Sequence, residues 1–202
     1  MKLAKTIAGA VSVLAILNGA ATAQTAEQNA VVVGKPVPAF SARLLKLSAD
    51  KVEETEFDSA KTGKPTLYGF IGTSCPVTAQ YSARLKDLAE KYQAKGVNVV
   101  YVYSTSYEDR DKKVEFHRAQ GFSAALLDDQ GAKVKNLLGA VRSTEMFVAD
   151  ANGKIVYHGA VDDSARDPGA VKVSYVAQAL DETLAGKPVS VTSSQVFACG
   201  IH

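Results

Sequence analysis

The chain has 202 residues, with 23 Lys or Arg, 21 Asp or Glu, and two cysteines. This length suits one domain with a sizeable hydrophobic core. The chain holds no run of five or more basic residues, which argues against nucleic acid as a partner.

Residues 1–23 have the pattern of a secretory signal peptide. Two lysines precede an apolar stretch from Ile7 to Leu17, and Ala21-Thr22-Ala23 supplies a small-residue cleavage site. The apolar stretch is short for a membrane span, so we expect cleavage before Gln24 and no membrane span afterwards. Removal of the two lysines leaves 21 basic and 21 acidic residues, which balance. The expected location is the bacterial periplasm, where disulfide bonds persist.

The chain after the signal peptide divides into three parts. Residues 24–35 are polar and predicted to be flexible, 36–186 form the domain, and 187–202 form an irregular tail. The elements predicted in the domain are a hairpin over 41–57, a strand over 66–71, a helix over 76–95, a strand over 97–103, a helix over 107–120, a strand over 124–127, a short helix over 132–138, a hairpin over 145–158 and a helix over 171–185. This order predicts an α/β domain with a central mixed β-sheet flanked by helices.

Cys75 follows an apolar run and a small polar turn, and Pro76 follows it at the start of a helical pattern. This order predicts a thiol at a helix N-terminus, where free backbone N–H groups and the helix dipole favour the thiolate. We therefore predict Cys75 as a redox nucleophile; the alternative is an inert buried thiol. Thr73, Ser74 and Thr78 are candidate hydrogen-bond donors to the sulfur, and Thr73 or Ser74 can instead cap the helix.

Cys199, in the tail, is the second cysteine. An even number of cysteines in a secreted chain favours pairing, and the tail is long enough to return across a domain. A bond to Cys75 would close a loop of more than about 100 residues, worth about 4–5 kcal/mol in the chain-entropy model. The residues leave open whether such a bond is catalytic or structural, whether it lies within one chain or between two, and whether an external thiol replaces it.

Several motifs together with the element order resemble a thioredoxin-like fold, and in particular periplasmic redoxin proteins related to peroxiredoxins. The similar segments are 34–40, Cys75-Pro76-Val77 with the helix after it, 145–154 with 157–163, 184–189 and 198–201. The resemblance implies a thiol-dependent oxidoreductase that reduces a small peroxide or a protein disulfide at Cys75, with Cys199 resolving the intermediate. An unidentified thiol would supply electrons, and no cofactor is implied.

Three positions depart from the related families. Thr78 stands where thioredoxins have the second cysteine of Cys-x-x-Cys, and Gly72 stands where peroxiredoxins have a threonine. Thr144 stands where thioredoxin-like proteins have a cis-proline, and a cis bond before another residue costs about 3 kcal/mol, so we expect a trans or rearranged loop. Peroxiredoxins also use an arginine near this region to stabilise the thiolate, and Arg142 is the candidate for that role here.

Two other classes of function remain open. One is a non-catalytic secreted module in which Cys75 and Cys199 form a structural disulfide. The other is copper handling by the two thiols and His202, since thiolates and imidazole suit copper(I). Copper-delivery relatives use Cys-x-x-x-Cys, whereas residue 79 is alanine, so no metal site is expected. The remaining acidic pairs and histidines are predicted to be exposed to solvent: Asp128-Asp129, Asp162-Asp163, His117 and His158.

Overall fold

The computed structural model describes residues 33–202. The predicted signal peptide over 1–23 and most of segment 24–35 lie outside the described residues. The strands are β1 Ser41–Leu47, β2 Val52–Asp58, β3 Thr66–Phe70, β4 Asn98–Tyr103, β5 Ala125–Asp128, β6 Met146–Ala149 and β7 Ile155–Gly159. The α-helices are α1 Pro76–Ala94, α2 Arg110–Ala119, α3 Lys133–Leu138 and α4 Tyr175–Leu184.

The strands form one mixed sheet in the order β2-β1-β5-β4-β3-β6-β7. Strands β3, β4 and β5 are parallel and central, while β1 and β6 flank them in antiparallel orientation. The predicted central mixed sheet is therefore confirmed. Because the carboxyl ends of β3 and β4 lie at the same edge, the loops that follow them meet there.

The sheet is covered on both faces. Strand β3 is buried along its whole length, as expected for a strand with apolar layers on both sides. Side chains from α1, α2 and α4 belong to the apolar cluster on one face, and side chains from α3 belong to the cluster on the other. Within residues 33–202, no helix is long and apolar enough to cross a membrane.

Helix α1 carries the predicted nucleophile and follows from local sequence. Pro76 occupies its first turn, where the missing N–H has no intrahelical partner to lose. The chain leaves the helix through Gly96, whose φ of +85° is costly for residues with a side chain. The residues predicted to face inward are all buried: Tyr81, Leu85, Leu88, Ala89 and Tyr92.

Two predicted helix starts were too early. Helix α2 begins at Arg110 rather than residue 107, because the Asp109 side chain caps it by accepting a hydrogen bond of 2.8 Å from the Lys112 N–H. Helix α4 begins at Tyr175 rather than residue 171, after a separate 3-10 turn over Pro168–Ala170.

The prediction that three acidic residues lie exposed in turns was wrong. Asp128, Asp129 and Asp162 are all buried, and only Asp163 is exposed. The Lys113 ammonium lies 2.9 Å from Asp128, and the Arg84 guanidinium lies 2.5 Å from Asp162. A buried carboxylate is tolerated when such partners replace the water it has lost.

The prediction that His117 is solvated was also wrong. Its ring is fully buried, with Nδ1 2.9 Å from the Tyr103 hydroxyl and Nε2 2.8 Å from the Ala124 carbonyl. Burial lowers the pKa of His117 from 6.5 to about 4, despite hydrogen bonds to the Ala124 and Phe122 backbone that act the other way. The folded protein therefore holds the neutral ring.

We expect His117 to make stability pH-dependent. The unfolded chain takes up a proton near pH 6.5 and the folded chain only near pH 4, so stability falls as the pH drops through this window. The loss from this group is about 3 kcal/mol between pH 7.5 and 4. Denaturant unfolding across this range measures it. His117→Gln should flatten the slope and His202→Gln, at an exposed position, should not; equal slopes in all three proteins would contradict the assignment.

Candidate active site

Cys75 lies at the start of α1, one residue before Pro76. It is the N-cap residue, without a side-chain hydrogen bond to the helix, and the nearby backbone N–H groups of Val77 and Thr78 lower the pKa of its thiol. These N–H groups belong to the first turn of the helix and have no intrahelical acceptors. The sulfur therefore occupies the anion-binding position at the helix end that the sequence predicted.

The second sulfur lies beside the first. The Sγ atoms of Cys75 and Cys199 are 2.7 Å apart, and both thiols are free. The tail has thus returned to the start of α1 within one chain. Cys75 is only 5% exposed, whereas Cys199 is exposed.

The two thiols have opposite pKa shifts. Burial raises the pKa of Cys75, but the hydrogen bond from Cys199 and the backbone N–H groups of Thr78, Cys199 and Val77 lower it by more, so the net pKa is lowered. The hydrogen bond to Cys75 raises the pKa of Cys199, and desolvation adds to the rise. Cys75 is therefore the more acidic thiol of the two, and Cys199 keeps its proton to a higher pH.

The tail is held in place by the loop that precedes β6. The Ser143 N–H donates to the Cys199 carbonyl at 2.8 Å, and the Ile201 N–H donates to the Val141 carbonyl at 3.0 Å. Arg142 forms a β-bridge with Gly200. These backbone contacts run from the Cys199 carbonyl to Ile201, so they hold the chain at the cysteine and just after it.

The Arg142 side chain binds the tail backbone. Its guanidinium Nη1 donates to the Ala198 carbonyl at 2.9 Å. Arg142 was predicted to stabilise the Cys75 thiolate, but among the described residues it makes no hydrogen bond or ion pair with Cys75. The observed contact instead adds a side-chain bond to the backbone attachment of the tail.

The hydroxyl groups of Thr73, Ser74 and Thr78, which were predicted to donate to the Cys75 sulfur, lie in different surroundings. The Thr78 hydroxyl is buried and has no hydrogen-bond partner among the residues described, so it does not donate to the Cys75 sulfur. The Thr73 hydroxyl donates to the Glu108 carboxylate, and the Ser74 hydroxyl lies 3.2 Å from the Tyr107 hydroxyl. Neither residue caps α1, because Cys75 holds that position.

The two remaining departures from the related families have structural explanations. A Cβ atom at Gly72 would collide with the Ser143 hydroxyl, so a threonine at this position requires the Ser143 side chain to move. Every peptide bond within residues 33–202 is trans, and Thr144 adopts a φ of +57°. The loop before β6 is therefore rearranged relative to one with a cis-proline, as expected.

The family model for redoxins matches residues 32–180. The chain belongs to the redoxin family. Membership supports a thiol oxidoreductase, which agrees with the chemistry of the two sulfurs. The match ends before Cys199, so the second thiol of this redoxin lies outside the matched region.

Solved structures similar to this redoxin confirm the thioredoxin-like fold. An uncharacterised conserved protein from Geobacillus kaustophilus is 25% identical with a TM-score of 0.71, over 84% of this chain and 90% of that one. A hypothetical protein from Sinorhizobium meliloti 1021 is 24% identical with a TM-score of 0.68, over 84% and 93%. A putative protein disulfide isomerase from Bacteroides thetaiotaomicron is 18% identical with a TM-score of 0.58, over 76% and 90%. No curated protein matches the chain.

Sequence reasoning missed Glu108, which is buried beside the active-site loop of this redoxin. Its carboxylate accepts hydrogen bonds from the hydroxyls of Thr73 and Thr105. The contact arises because the loops after β3 and β4 meet at one sheet edge. The prediction placed residue 108 inside a polar helix over 107–120, where a glutamate is expected to be exposed. Asp109 is a typical helix-capping residue, and this signal could have placed Glu108 in the loop before the helix.

Sequence reasoning also misplaced His158, which was predicted to be exposed. It is 1% exposed, and its ring stacks on Phe147 with centroids 4.0 Å apart. In the described part of the chain, no group of three or more His, Cys, Asp or Glu is arranged to hold a metal ion.

Proposed function

We propose that this redoxin is a periplasmic thiol–disulfide oxidoreductase in which Cys75 is the nucleophile and Cys199 the resolving thiol. The observation that carries the proposal is the 2.7 Å separation of the two sulfurs at the N-terminus of α1. The lowered pKa of Cys75 supports its role as attacking thiolate. The signal-peptide pattern of residues 1–23 supports the periplasmic location.

The reductive half of the cycle balances as two exchanges. The Cys75 thiolate attacks one sulfur of a substrate disulfide, and the other substrate sulfur leaves as a thiolate. Cys199 then loses its proton and attacks the Cys75 sulfur, which forms the Cys75–Cys199 bond and releases the second substrate thiolate. Because Cys75 is 5% exposed, the first step requires Cys199 to move aside.

The oxidised protein is regenerated from the opposite side. A donor thiolate attacks the sulfur of the exposed Cys199, and Cys75 leaves as the thiolate. A thiol of low pKa is the better leaving group, so the helix end favours this direction of attack. A second donor thiolate then displaces Cys199 and leaves an oxidised donor. Two electrons pass from two donor thiols to the protein in this half of the cycle.

A protein-sized disulfide suits the surface around the sulfurs. Three of the five large apolar side chains that are exposed within residues 33–202 lie near the site: Tyr107, Val141 and Phe197. Tyr107 contacts Ser74 through its hydroxyl, Val141 binds the tail backbone, and Phe197 lies two residues before Cys199. Exposed apolar groups around a reactive centre are typical of protein-binding surfaces.

Peroxide reduction is the competing activity. The threonine that peroxiredoxins place near the thiolate is Gly72 here, and the Arg142 guanidinium binds a backbone carbonyl of the tail. Both features favour disulfide exchange over peroxide reduction.

The deciding experiment compares two oxidants. Reduced protein is mixed with hydrogen peroxide or with a reducible protein disulfide, and each cysteine is followed by mass. We expect faster loss of thiols with the disulfide, and a Cys75–Cys199 peptide from a monomer on a non-reducing gel. Faster reaction with peroxide, through a sulfenic acid at Cys75, would assign the peroxidase activity instead.

The potential of the Cys75–Cys199 bond tests the structural alternative. A purely structural disulfide has a reduction potential below about −300 mV, and a catalytic one lies above it. Equilibration with a glutathione or dithiol buffer measures the value.

N-terminal sequencing of the protein from cell fractions tests the location, and retention of Met1 would contradict export with cleavage.

A further inference from the structure

Glu145 and His158 form a buried pair behind the loop that holds the tail. Each is 1% exposed, and His158 Nε2 lies 2.6 Å from Glu145 Oε1. The His158 Nδ1 atom is buried and has no partner among the described residues. A donor left unpaired at Nδ1 would be costly, so the tautomer with the proton on Nε2, donated to Glu145, is favoured.

The other oxygen of Glu145 holds the loop before β6. Its Oε2 accepts hydrogen bonds from the backbone N–H of Val141 at 2.7 Å and of Arg142 at 2.8 Å. Hydrogen bonds to a carboxylate are roughly twice as strong as neutral ones. One buried side chain therefore holds two successive residues of the loop, and the backbone of this loop binds the tail at Cys199.

The same pair also reaches the earlier part of the tail. The backbone N–H of His158 donates to the Thr192 carbonyl at 3.0 Å, and the backbone N–H of Ser194 donates to the His158 carbonyl at 3.2 Å. Residue 158 thus binds the tail before Phe197, and the loop held by Glu145 binds it from Ala198 onward. The side-chain contact between Glu145 and His158 therefore joins the two attachments: the strand backbone at residue 158 binds the earlier part of the tail, and the loop held by the Glu145 carboxylate binds the later part.

We propose that Glu145 and His158 are positioning residues that hold Cys199 against Cys75 and thereby set the effective concentration of the resolving thiol. This inference rests on the proposed function, because it concerns the same thiol pair. A closely held thiol closes the disulfide without a search through tail conformations. Loosening the loop should therefore weaken disulfide formation and leave the helix end around Cys75 unchanged.

The test compares Glu145→Gln with Glu108→Gln. Both replace a buried carboxylate beside the active-site loops, but Glu108 has no described contact with the tail. The effective concentration of the Cys75–Cys199 pair is measured by equilibration with glutathione. We expect Glu145→Gln to lower it by about tenfold, since carboxylate bonds become neutral ones, and Glu108→Gln to change it by less than about twofold.

A second readout separates this inference from the proposed function. In the reduced proteins, amide hydrogen exchange at Ser143 and Ile201 should be faster in Glu145→Gln than in Glu108→Gln, whether or not the protein turns over a substrate. If the two variants lose thermal stability alike but leave both readouts unchanged, the pair is merely structural and the proposal is overturned. If Glu145→Gln does not fold, His158→Gln is measured in the same way with the same expected direction.

Discussion

Replacement of Cys75 by serine is expected to reduce disulfide reductase activity to the level of the reaction without protein. Cys199 remains, but it is not the N-cap residue of α1, and a thiol of ordinary pKa is only a few per cent ionised at pH 7. We therefore expect a loss of at least about 100-fold in the rate of substrate reduction, measured with the wild-type protein at equal concentration.

Ultraviolet absorbance of the thiolate provides an independent check on the same residue. The lowered pKa of Cys75 predicts that reduced wild-type protein ionises one thiol below the ordinary value of 9.0, and that Cys75→Ser lacks this transition. In Cys199→Ala the transition should persist at a higher pH, because one of the hydrogen bonds that lower the pKa is lost. A low transition that survives in Cys75→Ser would make Cys199 the nucleophile.

Cys199→Ala is expected to divide the reaction into a fast first step and a blocked second step. Cys75 is buried and its sulfur contacts that of Cys199, so removal of the Cys199 thiol should give substrate easier access to Cys75 and offset the higher pKa, and the mixed disulfide should still form rapidly. Release of substrate then depends on an external thiol. At millimolar donor we expect steady-state turnover to fall by about tenfold or more, because a tethered thiol acts at a higher effective concentration.

Single-turnover and steady-state measurements on Cys199→Ala separate the two steps. A mixed disulfide at Cys75 that accumulates and is cleared by added thiol is the expected intermediate, detectable by mass. If the variant turned over as fast as the wild type without accumulation, an external resolving thiol would be the better account. Slower formation of the mixed disulfide would instead mean that Cys199 activates Cys75 more than it shields it.

The elements around Cys75 could be predicted because their signals are local. An apolar run before Cys75, Pro76 after it and the spacing of Tyr81, Leu85 and Leu88 predict a strand, a turn and an amphipathic helix in that order. The position of the sulfur at a helix N-terminus follows from neighbours in the chain, and so does the expected direction of its pKa shift.

For Cys199, the sequence could show only that a bond to Cys75 was possible. Chain length allowed the tail to reach Cys75, but the sequence left open an intermolecular bond or an external thiol. The structure brings the two sulfurs together within one chain through backbone hydrogen bonds at Val141 and Ser143. Backbone groups are the same in every residue except proline, so no side-chain pattern in the tail announces where it docks.

Burial of polar groups was decided by the tertiary structure alone. Polar residues are more often exposed than buried, so the sequence favoured exposed positions for His117, Asp128 and His158. Each is buried because a partner distant in the sequence, or on another element, meets it: Tyr103 for His117, Lys113 for Asp128 and Glu145 for His158. The sequence by itself determined the fold class and the position of Cys75 at the start of α1, because backbone preference and apolar periodicity act over a few residues. The docked tail and the buried pair behind it required the sheet to bring distant loops to one edge, and only folding supplies that proximity.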